Sequence, residues 1–322
     1  MVKTLRINIL RQKGQPMSIS MIPKVKEFKL ISIYLYICDI YDSSHKNLCQ
    51  RFSNNDQPEF TDQEVMTIYL YVMHVEQRLK IKQIHNFAND YLRSWFPLLH
   101  SYEAFNMRVN RLSEAFKHLS ESLLSDFCPG DCQPDTSLID SLPIITCSGK
   151  RSSSVAKEIT DKGYCSTKSM YYFGAKLHAL VFRRLEHLPF PESLVVTPAS
   201  ENDLNVQKQY WSSIFNRTFY GDKIYRDEDF FKNMTETYNS VMMTPVKGVK
   251  NQSQTITQRD KAANDLYSTA VSRIRQPIEA LFNWLIEKTD IQRASKVRST
   301  KGLIVHIFGR IAAAYIFLIF NS

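Results

Sequence analysis

Residues 137 to 144 read Ser-Leu-Ile-Asp-Ser-Leu-Pro-Ile, a short apolar run with one carboxylate, Asp140, near its middle. Turn residues precede it, and a run of this kind reads as a strand buried on both faces. An ionised carboxylate in such a strand is costly unless it is paired or binds a metal. The fold therefore has to supply Asp140 with a partner.

Two other carboxylates sit in comparable settings. Thr218 to Tyr225 is a β-branched and aromatic run carrying Gly221-Asp222. It reads as a strand ending at Asp222, although Gly-Asp is equally a turn signal. Ile274, Ile278, Leu281 and Leu285 recur at helical spacing and define a buried stripe, with Glu279 beside it. Arg275 lies four residues before Glu279 and shares its face if the helix already runs there. Pro277 fits best in the first turn of that helix. Alone, Glu279 is more readily a solvated edge charge. Two strand carboxylates and one helix carboxylate converging on a point make a site for hard divalent cations.

The chain of 322 residues, 43% hydrophobic and 23% charged, has the composition of a globular protein with a real core. Its 41 Lys and Arg against 32 Asp and Glu give a net charge of +9, which favours a polyanionic partner, nucleic acid before membrane. Six cysteines (38, 49, 128, 132, 147 and 165) follow no recognisable signal peptide and read as reduced cytosolic thiols. Cys128 and Cys132 lack the second pair that a structural zinc site needs. Leu303 to Phe320 is apolar and near the lower length for spanning a membrane, but contains His306 and Arg310. It reads as a buried core helix, with Gly309 and Ala312 to Ala314 allowing close packing.

Residues 1–24 carry little pattern, and Met17 or Met21 is a candidate start. Phe28 to Tyr41 reads as a helix and Ser53 to Gln57 as a polar loop. Thr61-Asp62-Gln63-Glu64 matches a capping box ahead of an apolar helix. Further helices are expected at Ile81 to Leu92 and Tyr102 to Leu124. Residues 1–127 thus form a mostly helical region. Cys128 to Pro134 marks a boundary, after which 128–322 become strand-rich. Strands are expected at Ser137 to Ile144, Met170 to Phe182, Glu192 to Pro198, Thr218 to Tyr225 and Ser240 to Val246. Helices are expected at Asn202 to Phe215 and Asp227 to Tyr238. A polar segment, Lys247 to Asp260, leads towards the helix of Glu279. The first three strands suit an antiparallel meander and the later ones parallel crossovers. That is an α/β, ribonuclease-H-like architecture: a mixed five-stranded sheet with flanking helices.

Ile139-Asp140-Ser141, Lys162-Gly163-Tyr164, Tyr172 to His178, Gly221-Asp222-Lys223, Arg275 to Glu279 and Val297 to Leu303, in this order and spacing, resemble a bacterial insertion-sequence transposase of the DDE type. The nearest group is the insertion-sequence group numbered nine hundred and eighty-two, and the resemblance runs from about Phe96 to the end. It implies that Asp140, Asp222 and Glu279 form a catalytic triad holding two Mg²⁺ ions, with Mn²⁺ able to substitute. The triad spacings are 82 and 57 residues, which leave no room for a large insertion before the glutamate. Arg275 matches an arginine found four residues before the glutamate in related transposases. A tyrosine and a lysine often found nearby are replaced by Ser272 and Ile286, and Lys288 is the nearest basic residue.

The implied reaction is hydrolysis of a phosphodiester at an element end, then attack of the freed 3′-hydroxyl on target DNA. The implied partners are double-stranded DNA, at element ends and target, and further copies of the chain in a homo-oligomer on DNA. The implied setting is the bacterial cytoplasm. Residues 141–180 carry six Lys or Arg against two acids, and 271–310 carry eight against three. Within them Lys162, Lys176, Arg275, Lys288, Arg298 and Lys301 are the candidate DNA contacts. Arg78, Lys80, Lys82, Arg93, Arg108 and Arg111 are candidates for element-end recognition in the helical region. His178 reads as a core or supporting residue, Trp211 and Trp284 as core, Asp135 as a loop residue and Asp203 as a helix start. A metal-dependent nuclease on the same fold, and a decayed relative that only binds DNA, are the competing readings.

Overall fold

The N-terminal third is helical, as its pattern predicts. The computed structural model describes residues 22–51, 58–150, 155–166, 168–246 and 254–320. The candidate starts at Met17 and Met21, the loop at 53–57, Arg151 and the stretch 247–253 lie outside them. Helix α1 (Lys24–Ile40) passes through a π-helical turn into the short α2 (Lys46–Leu48). The capping box forms and opens α3 (Asp62–Glu76): Glu64 N–H donates to the Thr61 hydroxyl at 3.2 Å, and Thr61 N–H to the Glu64 carboxylate at 2.5 Å. Helix α4 (Ile81–Tyr91) follows, and the long helix expected after it divides at Leu112 into α5 (Tyr102–Arg111) and α6 (Ser113–Asp126).

The remainder holds a six-stranded mixed sheet. β1 (Gln133–Ser148) starts earlier than expected, so Asp135 is an exposed strand residue and not a loop residue. β3 (Met170–Arg183) pairs antiparallel with it. β2 (Asp161–Cys165) and β4 (Phe190–Pro198) both pair antiparallel with β3, β2 with its first residues and β4 with the rest. The five expected strands are present. The sixth, β2, falls in a stretch whose polar and basic composition hides it. On the other side of β1 lie the parallel strands β5 (Thr218–Tyr220) and β6 (Val241–Met243). Between β4 and β5 run α7 (Asp203–Val206) and a π-helical turn to Trp211, and between β5 and β6 runs α8 (Glu228–Tyr238).

The last part is helical again. Helix α9 (Gln254–Arg275) reaches back into the segment expected to be irregular, whose polar composition hid a solvated helix. Pro277 occupies the first turn of α10 (Pro277–Thr289). The chain then returns to β1, where Ile145 N–H donates to Gln292 O at 2.8 Å and Ala294 N–H to Ile145 O at 2.9 Å. Helices α11 (Thr300–Ile304) and α12 (Arg310–Phe320) join through a π-helical turn into one apolar rod. The rod is long and apolar enough to cross a membrane, but most of it is buried inside the protein against α3, α6 and α10. Arg310 donates to Leu79 O at 2.8 Å and to Thr289 O, and His306 bonds Ile291 O at 2.8 Å. Both polar side chains thereby find backbone acceptors inside the core, although the Arg310 Nε stays without a partner. Gly309 permits the packing: a Cβ there would meet the Tyr69 ring at 2.9 Å. One apolar cluster runs through the N-terminal helices, one face of the sheet and α10 to α12. The helical region and the sheet thus share a core.

Candidate active site

The sheet sets two of the three carboxylates side by side. Leu138 of β1 pairs with Tyr220 of β5 in parallel register. Two residues further along each chain stand Asp140 and Asp222. β5 ends at Tyr220, earlier than expected, because Gly221-Asp222 turns the chain. Tyr225 N–H closes that turn on Asp222 O at 3.0 Å. A Cβ at Gly221 would lie 2.6 Å from the Tyr225 ring, so only glycine fits against the buried tyrosine. Asp222 is therefore a loop residue at the carboxyl end of its strand, where parallel sheets present their ligand-binding groups.

Glu279 arrives from α10. Burial of Ile278, Leu281, Phe282 and Leu285 fixes that helix against the core and leaves Glu279 on its margin, 53% of its side chain exposed. Arg275, the last residue of α9, joins the elements. Its guanidinium donates to Asp140 at 2.8 Å and to Glu279 at 2.5 Å. Three charges from a strand and two helices, 135 residues apart at the extremes of the Asp140 contact, are thus linked.

The electrostatics follow from this crowding. Burial pushes the Asp140 carboxyl up to about 6, Arg275 and the Ser141 N–H oppose the rise, and the charges of Asp203 and Asp222 add to it. Ser141 N–H donates to Asp140 at 2.8 Å. Burial works against the Arg275 charge, but Asp140, Glu279 and Asp222 outweigh it and hold its pKa above the ordinary value. The Tyr225 hydroxyl is fully buried, has no hydrogen-bond partner in the structure and feels Asp203, Asp140 and Asp222.

This donor set fits a hard divalent cation in kind: carboxylate oxygens, with an orphaned hydroxyl among them. Among the described residues, no three Asp, Glu, His or Cys side chains stand close enough to form a ligand set. Arg275 is the positive charge between Asp140 and Glu279.

Asp203 was legible only as a helix start, and it is one, capped by Asn202. Its burial adds a role the sequence did not signal. The carboxylate is 5% exposed and takes the Lys176 ammonium at 2.9 Å and the Ser141 hydroxyl at 2.9 Å. His178 Nδ1 stands 3.6 Å away, and burial lowers that imidazole to about 4, so the ring is neutral. Its Nε2 meets the Thr197 hydroxyl at 2.8 Å, the supporting place expected of it. Lys176 also donates to Glu201 O at 2.7 Å, so its ammonium is engaged within the fold.

The other candidate DNA contacts spread around the molecule. Lys162 is exposed, with its ammonium 5.1 Å from the Tyr171 ring centre. Lys288 pairs with Glu287 at 3.1 Å, and exposed Arg298 caps the carbonyls of Ser295 and Val297 at 2.9 and 2.7 Å. Lys301 is exposed at the start of α11. In the helical region Arg78, Lys80 and Lys82 are exposed, Arg93 bonds Leu99 O at 2.9 Å, and Arg108 and Arg111 bind Asp62.

A mixed sheet carrying one aspartate within β1 and another just past the neighbouring parallel β5, with a helix glutamate bridged to the first by Arg275, has the architecture of a ribonuclease-H-like protein. Residues 130–299, more than half of the chain, match the family model described as "Transposase DDE domain". The chain belongs to that family, and a transposase acts on DNA. No curated protein matches it.

Proposed function

We propose that the chain is the transposase of a bacterial insertion element, of the insertion-sequence group numbered nine hundred and eighty-two, working in the cytoplasm. Asp140, Asp222 and Glu279 are its catalytic residues and would hold two Mg²⁺ ions, or Mn²⁺ in their place. When bound, such ions activate the attacking hydroxyl and stabilise the leaving alkoxide. The observation that carries the reading is the Arg275 bridge from Asp140 to Glu279, inside a family match that spans all three carboxylates.

The chain's own residues do the rest. β1 and the Gly221 turn fix the two aspartates, and burial keeps bulk water from screening Asp140. Glu279, half exposed, would turn from Arg275 to help hold a cation. Arg275 matches a phosphate in bidentate geometry and would be the group to receive one there. Asp203 holds Ser141 and Lys176 beside Asp140. Lys162, Lys288, Arg298 and Lys301 contribute phosphate contacts, which position DNA without reading sequence. The helical region, 1–127, recognises element ends, and 128–322 performs hydrolysis and strand transfer. Two ends must be held together, so the working unit on DNA is a homo-oligomer.

The test is cleavage and joining of DNA carrying the element's ends, comparing wild type with Asp140→Asn, Asp222→Asn and Glu279→Gln. Each substitution should abolish both reactions and spare DNA binding. Near-normal activity in any one variant removes that residue from the triad. Cutting without joining would make the protein a nuclease, and binding without cutting a DNA-binding relative.

A further inference from the structure

Away from the carboxylates, three arginines converge on one aspartate. Asp62, 4% exposed at the start of α3, accepts from Arg51 at 2.9 Å, Arg108 at 2.6 Å and Arg111 at 2.5 Å. Burial raises the Asp62 carboxyl, but hydrogen bonds from Arg111 and Arg108 outweigh it and hold the group below its ordinary value. One negative charge thus faces three positive ones. Burial lowers the Arg108 pKa, the Asp62 carboxylate counters, and the charges of Arg51 and Arg111 lower it further. The Nε atoms of Arg51 and Arg108 are buried without a hydrogen-bond partner. Arg108 also donates to Phe60 O, and Arg111 to Cys49 O at 3.0 Å. Arg51 and Arg111 line a cavity of about 530 Å³ with Leu48, Gln50, Ser113, Glu114 and Lys301.

Lys301 comes from the far end of the chain. It starts α11, in the basic stretch after Glu279's helix, and is exposed with no ion pair among the described residues. The cavity therefore joins the helical region to the C-terminal helices, with cations from both. Counting Arg51, Arg108, Arg111 and Lys301 against Asp62 and Glu114, it holds two more positive charges than negative. No aromatic residue lines it, so it offers nothing on which a base would stack. Two guanidinium groups, both already bonded to Asp62 yet leaving a net positive charge, and a free-standing ammonium, with a serine and a glutamine, are groups that attract a phosphate.

We propose that this cavity seats a backbone phosphate of double-stranded DNA and so fixes the duplex across both parts of the protein. The inference rests on the transposase reading, which makes DNA the phosphate source. It adds a docking point that the carboxylate site does not contain.

The test is equilibrium binding of duplex DNA by the full chain over a range of salt concentrations, with wild type, Lys301→Gln and Glu114→Gln. Both substituted side chains are exposed, so both variants should melt like wild type. Lys301→Gln should flatten the slope of log K against log salt by about 0.9, the loss of one phosphate contact. Glu114→Gln should tighten binding severalfold, because it removes the acid facing the phosphate. An arginine cluster that only fastens α3 to α5 predicts neither change. If wild type binds DNA and both variants match it in affinity and slope, the docking proposal fails and the transposase reading stands. If wild type binds no duplex at all, the transposase reading fails and takes the docking proposal with it. A melting shift with inorganic phosphate that Lys301→Gln abolishes, beside an unchanged DNA slope, would mark a site for free phosphate and overturn the DNA assignment.

Discussion

Replacing Arg275 by Gln tests the electrostatic account of the site in the metal-free protein. The Glu279 arm of the bridge is half exposed and contributes little. The Asp140 arm, with 16% and 22% of the two side chains exposed, carries the effect. A neighbouring arginine holds a carboxylate about one to three pH units lower, so without it Asp140 rises well above its present value of about 6. A folded-state pKa raised above the unfolded one means that Asp140's contribution to stability is complete at low pH and is lost as pH rises through the folded value. The variant loses more, and only where wild-type Asp140 is ionised. At about 1.4 kcal/mol per pH unit, the extra loss is about 2 kcal/mol at pH 8 and close to zero at pH 5. That corresponds to a Tm lowered by roughly 3 °C at pH 8 for a chain of this length. The assay is thermal unfolding in chelator at both pH values. Equal Tm losses at pH 5 and pH 8 would show that Arg275 acts through packing, and would refute the charge argument. Added Mg²⁺ should restore more stability to the variant than to wild type, because it supplies the missing positive charge.

Other residues give sharper single outcomes. Asp203→Asn should slow DNA cleavage about 10- to 100-fold, the usual effect of losing a residue that orients a metal-binding carboxylate, while DNA affinity by titration stays near wild type. Burial and Arg310 lower His306 to about 3, against a hydrogen bond to Ile291 O that raises it. Between pH 6.5 and 3 the unfolded chain binds a proton that the folded chain refuses, so stability is complete above pH 6.5 and falls below it. His306→Gln should flatten the decline of Tm in that window. Gly309→Ala forces a methyl against Tyr69, and overpacking of this kind costs about 1–3 kcal/mol, to be read from urea unfolding.

The legible parts of this molecule are those where local chemistry and tertiary need agree. Thr61 and Glu64 cap a helix by themselves, Pro277 fits only a first turn, and the apolar run around Asp140 has no stable place except a buried strand. The places of Asp140, Asp222, Arg275 and Glu279 in the fold were readable for the same reason: each charge interrupts or borders a pattern that has to be buried. Where the outcome depends on a distant partner, the sequence is silent. β2 contains Asp161 and Lys162, and is a strand because β3 offers it an edge and because Ser200 N–H donates to Asp161 at 2.7 Å. Helix α9 is polar almost throughout, so its periodicity gives no sign of the length over which it delivers Arg275. Asp203 looks like any acid at a helix start. Only the approach of β1 and β3 brings Ser141, Lys176 and His178 to it and makes it a fourth charge beside Asp140. The same logic applies to Asp62, a first-turn acid whose three arginines come from residues 51, 108 and 111 and cannot be assigned to it by spacing. In both places a carboxylate that local pattern explains completely is also the anchor for charges from elsewhere. The charge clusters of this chain are therefore built on residues that already had a structural reason to be where they are.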